Sequence, residues 1–345
     1  MKLNFRWLKI VFLDLRKDHR ASRNKNSEEL KKLITVLCGG VGAAKFLEGL
    51  VHANLGEEIV AIVNVGDDEE MYGLHISPDI DTIVYTLSDL VDRERGWGVK
   101  GETYQALNRL KELGAPAWFT LGDRDIGLHL FRRHLLDVGH TLSEATAEIG
   151  KSHNIPLRML PSTNQRLRTM ILAHGETEEL LSFQRYFVER RHQPTVKGIF
   201  FTGSSEAKAA PGVLDAIEAS RIIVIAPSNP LLSIAPILAI DEIAKAMAAA
   251  RHKTIAISPI VGGRAIKGPA DRILDSLGYP VSPLGAAKIL APFISMMVID
   301  DVDTNLSREI EELGLEVFIT NTMMVDLATK VELAKSVTNV SKELQ

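Results

Sequence analysis

Two short acidic stretches hold the residues best suited to chemistry. The first reads Gly66-Asp67-Asp68-Glu69-Glu70 and the second Ser77-Pro78-Asp79-Ile80-Asp81-Thr82. Taken alone, Asp79 or Asp81 could be no more than a cap near a helix N-terminus. Taken with Asp67 and Asp68, they suggest a metal site. Carboxylates gathered around a phosphate would repel it unless a divalent cation bridged them, and Mg2+ with oxygen ligands is the default for such chemistry. Asp67, Asp68 and Asp79 are the candidate metal ligands. Asp79 and Asp81 are the candidate catalytic carboxylates, either of which could accept a proton.

A glycine turn supplies the phosphate side. Ile34 to Gly49 reads I-T-V-L-C-G-G-V-G-A-A-K-F-L-E-G. Gly39, Gly40 and Gly42 permit positive φ and close backbone approach, and a helix N-terminus there offers free N–H groups to an anion. The turn completes no familiar fingerprint. A dinucleotide site would want a third glycine where Lys45 stands, and a Walker loop would want Ser or Thr at Phe46. The plain alternative is a tight strand-to-helix turn with no ligand.

Other candidates lie further along. Trp97, in the loop from Gly96 to Gly101, could stack on a flat ligand or cover a core edge. Arg124, in Gly122-Asp123-Arg124-Asp125, could grip an anion or pair with either aspartate. Ser228 and Asn229, between Pro227 and Pro230, could hydrogen-bond a phosphate or a base. Gly262 to Pro269 reads G-G-R-A-I-K-G-P, a second glycine-rich loop in which Gly263 and Lys267 are phosphate candidates.

These residues need a scaffold that brings strand ends together, and the apolar runs describe one. Ile34 to Cys38, Ile59 to Val65, Ala117 to Leu121, Arg221 to Ala226, Lys253 to Val261, Met296 to Asp300 and Glu316 to Asn321 read as buried strands. Helical stretches separate most of them. Thr141-Leu142-Ser143-Glu144 is a capping-box start for a helix to about His153. The pattern predicts an α/β fold: a Rossmann-like, mostly parallel sheet with helices on both faces and a smaller α+β insertion subdomain. The division is a basic leader over 1–32, a first part of the core over 33–140, an insertion over 141–205, and a second part of the core over 206–345. In the insertion, short β-like runs (Leu157 to Leu160, Thr169 to His174) alternate with polar, arginine-rich segments, which suits a lid or a dimer contact.

Composition sets the outer bounds. The chain has 345 residues, 46% hydrophobic and 24% charged, as a globular protein does. Its net charge of −4 gives no electrostatic case for nucleic acid. The single cysteine, Cys38, excludes an internal disulfide, reads as a small buried residue and suits a reducing cytoplasm. No apolar run reaches the roughly 20 residues of a membrane span, so integral membrane association is not expected. Residues 1–33 carry ten Lys or Arg against four Asp or Glu. They read as a leader outside the fold or as a basic amphipathic helix at a surface.

Seven loops in order complete the sequence picture: G-G-V-G-A-A-K-F, N-V-G-D-D, S-P-D-I-D-T, R-G-W-G, L-G-D-R-D, A-P-S-N-P and S-P-I-V-G-G. From about Leu33 onward the chain resembles the CofD family, the 2-phospho-L-lactate transferases of coenzyme F420 biosynthesis, together with the bacterial phosphoenolpyruvate-using version. The resemblance implies a donor in which guanosine diphosphate is linked to lactate or enolpyruvate. It implies the deazaflavin Fo as acceptor, release of GMP, a Mg2+ requirement and a homodimer. By motif, Asp81 matches a position that contacts Fo, Asp79 a metal ligand, and Asp67 and Asp68 the acidic turn beside them. Gly39, Gly40, Gly42 and Lys45 match the phosphate turn. Ser228, Asn229 and Gly262 to Gly268 match the guanosine diphosphate side. One departure is Thr120, where relatives often carry Lys or Arg. A related branch of the superfamily implies a different reading, a non-catalytic nucleotide-sugar-binding regulator, and Pro227-Ser228-Asn229-Pro230 favours the transferase. A nicotinamide-dependent oxidoreductase is disfavoured by the missing third glycine and the acidic clusters.

Overall fold

The computed structural model describes residues 33–175 and 177–340, so the leader over 1–32 lies outside the described residues. In chain order the main elements begin with β1 (Leu33–Cys38), α1 (Gly40–Ala53), β2 (Glu58–Val63) and a short hairpin, β3 (Glu69–Met71) and β4 (Leu74–Ile76). Then come α2 (Pro78–Leu87), α3 (Gln105–Glu112), α4 (Asp123–Asp137), α5 (Leu142–Ser152), β5 (Arg158–Pro161), β6 (Arg168–His174), β7 (Glu178–Ser182) and β8 (Thr195–Thr202). The second half holds α6 (Val213–Ala219), β9 (Ile222–Ile225), α7 (Asp241–Ala249), β10 (Thr254–Ile257), β11 (Ile260–Val261), β12 (Arg264–Ala265), α8 (Ala270–Ser276) and α9 (Pro283–Leu290). It ends with β13 (Met296–Ile299), β14 (Glu316–Ile319) and α10 (Leu327–Val340).

Seven strands form one parallel sheet in the order β14-β13-β10-β9-β1-β2-β5. The central strands are buried along their lengths, which is why they read as continuous apolar runs rather than alternating ones. The sheet grows from β1 through β2 to β5, then restarts at β9 on the other side of β1. The strand order therefore reverses between β1 and β9. Ligands of open α/β sheets bind outside the carboxyl ends at such a reversal.

Two close contacts knit the reversal point together. Ser228 Oγ, just beyond β9, donates to the Gly39 carbonyl at 2.8 Å. A Cβ on Gly42 would lie 2.2 Å from the Pro227 carbonyl oxygen, so only glycine lets the two loops meet. The inserted strands form a separate antiparallel sheet, β7-β6-β8, and Ile171, Leu181, Tyr186 and Val196 of the insertion share an apolar cluster with Leu232 and Ile273 of the second half. The α/β architecture with a smaller inserted sheet is the one the sequence predicts. The Thr141/Glu144 capping box at α5 forms as well.

Two expectations fail locally. Ala117 to Leu121 is not a strand; Leu121 is buried with Met71 and Ile76 of the β3–β4 hairpin, and Trp118 and Phe119 pack against them. The place beside β2 goes to β5, from the run Leu157 to Leu160. Both runs are short and apolar, and periodicity cannot rank them. The second loop differs too. The strand expected from Lys253 to Val261 stops at Ile257, and Gly262-Gly263 is the turn of the β11–β12 hairpin, with φ of +57° and +75°. Two successive positive φ values are what a tight hairpin turn demands. These glycines are thus explained by the turn.

Candidate active site

At the reversal point the glycine turn is already engaged. α1 opens at Gly40, whose φ is +74°. The Gly40 N–H, expected to face a phosphate, donates to Asp79 Oδ1 at 2.7 Å. Asp79 Oδ2 accepts from Asn64 Nδ2 at 2.9 Å. Asn64 is itself fixed: its N–H donates to the Cys38 carbonyl at 2.9 Å, and its Oδ1 accepts from the Gly66 N–H at 2.8 Å. A Cβ on Gly39 would lie 2.5 Å from Asp79 Oδ2. The turn, β2 and the start of α2 are thus tied through one carboxylate. Cys38 is buried beneath them; burial, then the Asp79 charge, pushes its thiol well up, so it is a packing residue.

The acidic turn after β2 is braced by the inserted sheet. The Thr169 N–H donates to the Gly66 carbonyl at 2.7 Å, Gln184 Nε2 to the Asp67 carbonyl at 3.1 Å, and Ser182 Oγ to Glu69 Oε2 at 2.7 Å. Asp68 Oδ2 lies 2.8 Å from His75 Nε2 and accepts from Ser77 Oγ at 3.0 Å. The other oxygens, Oδ1 of Asp67 and Oδ1 of Asp68, are buried without a hydrogen-bond partner. Burial, then the neighbouring Asp79 charge, holds Asp67 well above the usual carboxylate range. Burial pushes Asp79 up to about 6 against the hydrogen bonds from Asn64 and Gly40, with Asp68 and Asp81 adding to the rise.

Asp81 has a different environment. Arg132 of α4, fully buried, pairs with both of its oxygens; the Nη1–Oδ2 contact is 3.2 Å and the Nη2–Oδ1 contact is closer. Asp79 and Asp81, two residues apart, are therefore not equivalent. One is a buried carboxylate among carboxylates, the other half of an ion pair.

A pH prediction follows for the metal-free protein. The folded pKa of Asp79 lies above its unfolded value near 4, so the folded state holds the proton more tightly and loses stability as pH rises from about 4 to about 6. Urea unfolding in EDTA at several pH values should show Asp79→Asn gaining on wild type across that window. A constant difference would mean that Asp79 is not destabilised by burial.

Among the described residues, no three His, Cys, Asp or Glu side chains form a ready-made metal cage. Mg2+, however, usually takes one or two carboxylates and fills its octahedron with water and substrate phosphate oxygens. The partnerless oxygens of Asp67 and Asp68 are hard donors of that kind, in a cluster where carboxylates outnumber fixed cations. The donor set fits Mg2+.

The remaining candidates have their own local partners. Trp97 is 50% exposed, so it covers no core edge. Its loop is tethered by Lys267 Nζ, which donates to the Gly96 carbonyl at 3.2 Å. Lys45 Nζ donates to the Met324 carbonyl at 3.3 Å; burial, then the charges of Lys330 and Lys267, pushes this ammonium down. Three lysines from distant segments thus share one region, and Lys330 is steadied by Glu48 at 2.6 Å. Arg124 is exposed and donates from Nη1 to the Lys100 carbonyl at 3.2 Å, pairing with neither Asp123 nor Asp125. Asn229 Oδ1 accepts from the N–H groups of Leu231 and Leu232, leaving its Nδ2 buried without a partner. Gly263 sits in the hairpin turn, and Thr120 is exposed.

Sequence reasoning missed Asn64, His75, His129, Arg132 and Lys330. A signal existed for two of them: Asp125, His129 and Arg132 recur at i, i+4 and i+7 along α4, one face of a helix.

Fold and site together define an open α/β protein with a carboxylate cluster at the reversal point of its sheet. Comparison with known proteins gives the class a family. The family model described as 2-phospho-L-lactate transferase CofD matches residues 34–337. The 2-phospho-L-lactate transferase of Methanocaldococcus jannaschii is 37% identical over 306 residues, covering 88% of this chain and 97% of that one. The phosphoenolpyruvate transferase of Streptomyces griseus is 35% identical over 315 residues, covering 90% and 99%. The chain belongs to the CofD family of transferases. Among solved structures, a UPF0052-family protein of Bacillus halodurans aligns with a TM-score of 0.58 over 89% of this chain and 99% of that one. At 15% identity this is a likeness of fold alone. Among the described residues, no helix is long and apolar enough to cross a membrane.

Proposed function

We propose that this chain transfers a 2-phospholactyl or enolpyruvyl-2-phospho group from its guanosine diphosphate conjugate to the terminal ribityl hydroxyl of Fo. GMP is released and F420-0 or its dehydro form is made. The observation that carries the reading is the acidic cluster at the reversal point, with partnerless Asp67 and Asp68 oxygens beside Asp79. It stands in a chain whose relatives include one named for 2-phospho-L-lactate transfer and one named for phosphoenolpyruvate transfer.

The hydroxyl oxygen attacks the phosphorus that carries the organic acid, and the bond from that phosphorus to GMP breaks with its electron pair leaving on GMP. Asp79 takes the hydroxyl proton: burial raises its proton affinity to a pKa of about 6, whereas Asp81 is neutralised in its ion pair with Arg132. Asp67 and Asp68 hold Mg2+, which when bound neutralises charge on the diphosphate. Lys45, Lys267 and Lys330 add fixed positive charge, and positioning with neutralisation does most of the work in phosphoryl-type transfer. Asn229 Nδ2 is free to donate to the guanosine diphosphate end. The exposed Trp97 stacks on the deazaflavin. A cytoplasmic homodimer completes the reading.

Fluorescence titration tests the acceptor. Fo fluorescence should change on binding, and Trp97→Ala should weaken Fo binding about tenfold while leaving guanosine nucleotide binding unaltered. No response of Fo to the wild-type protein would refute the acceptor assignment.

A further inference from the structure

Arg132 is fully buried and reaches two segments at once. Its guanidinium pairs with both oxygens of Asp81 in the first turn of α2, and Nη1 also donates to the carbonyl of His75, in β4, at 3.1 Å. The side chain of that same His75 lies 2.8 Å from Asp68. One residue of α4 therefore touches the framework of both acidic stretches, that of Asp67 and Asp68 and that of Asp79 and Asp81. Behind it stands a second layer. His129 Nδ1 lies 3.3 Å from Arg132 Nη1, and His129 Nε2 lies 3.3 Å from Asp125, which accepts from the Tyr85 hydroxyl. Burial works against the Arg132 charge, and Asp81, with Asp68 beyond it, more than restores it.

A buried ion pair is weak evidence for stability, because desolvation offsets most of the attraction. The pair needs another reason to be here, and its geometry supplies one. We infer that Arg132 is a positioning residue for the transfer: acting through Asp81 and the His75 carbonyl, it fixes the separation of the two acidic stretches. Asp67, Asp68 and Asp79 are thereby held around one substrate. Arginine suits this because its planar fork fixes an angle as well as a charge, which a lysine ammonium does not. The inference rests on the transferase reading above and adds to it a residue that touches neither substrate nor metal.

The test is steady-state kinetics of the full chain with Mg2+, Fo and each donor. Four proteins are compared: wild type, Arg132→Lys, Asp81→Asn and the double variant, each checked for folding by thermal melt. Arg132→Lys keeps the charge and loses the fork, so kcat should fall about 30-fold with donor KM within about twofold of wild type. Because the two residues act as one unit, the double variant should lose no more than about the larger single loss. Arg132→Met in the Asp81→Asn background serves if Arg132→Lys does not fold; it should match Asp81→Asn. A lowered melting temperature with unchanged turnover per folded molecule would overturn the inference and leave Arg132 a structural residue. Losses that multiply in the double variant would overturn it as well. A wild-type protein silent with both donors would overturn the transferase reading, and the inference with it.

Discussion

Replacing Asp67 with Asn is expected to stop turnover and to make the metal-free protein more stable. Ordinary core substitutions do the reverse. Asp67 is buried, its Oδ1 has no partner, and burial with the Asp79 charge raises its pKa well above the normal range. Asparagine keeps the shape and removes the charge that the folded state tolerates poorly. In EDTA at pH 8 the variant should melt a few degrees above wild type. Added Mg2+ with a guanosine nucleotide should stabilise wild type and leave the variant unmoved, because ligands stabilise only the state that binds them. Turnover should drop on the order of 100-fold or more, the usual loss when a charge-stabilising group is removed from an active site. Paired melts with and without Mg2+, followed by initial rates, check all three points. A destabilised variant that still responds to Mg2+ would mean that Asp67 is held for structure.

Gly42→Ala should be the most damaging small substitution at the reversal point. The added Cβ would meet the Pro227 carbonyl oxygen at 2.2 Å, a backbone atom that cannot swing aside. Either α1 or the Pro227–Pro230 loop must move, breaking the Ser228–Gly39 hydrogen bond and shifting the glycine turn against Asp79. A cost of about 3 kcal/mol is expected from such overpacking. Gly127→Ala provides the contrast. Gly127 lies inside α4 with open space around its missing side chain, and alanine there should stabilise by about 1 kcal/mol through helix propensity. Denaturant midpoints of the two variants should move in opposite directions. Equal shifts would show that the two loops are not in close contact.

The fold was legible because its sheet is parallel and buried. Strands such as β1, β9 and β13 appear as unbroken apolar runs ended by polar or glycine turns, and the reversal point follows from where those turns fall. What misled were runs too short for length to decide. Ala117 to Leu121 and Leu157 to Leu160 look alike, and only tertiary packing sends the second into the sheet. The acidic residues of the site were legible as types but not as roles. Nothing in S-P-D-I-D-T says that the first aspartate grips Gly40 while the second grips Arg132, because that partner lies 51 positions downstream of Asp81. Glycine-rich stretches carried a similar ambiguity. Gly262-Gly263 is a hairpin turn, and Gly40 presents its N–H to a carboxylate of the same chain. Glycine reports a backbone requirement, and a bound phosphate is one of several things that can impose it.

One measurement bears most directly on the central claim. Purified protein, Mg2+ and Fo are offered the guanosine diphosphate conjugates of 2-phospholactate and of phosphoenolpyruvate in separate reactions, and products are read by mass. We expect F420-0 or dehydro-F420-0 with one equivalent of GMP from one of the two donors, with product formation lost in Asp79→Asn. No product from either donor, with the protein folded and both substrates verified, would contradict the assignment.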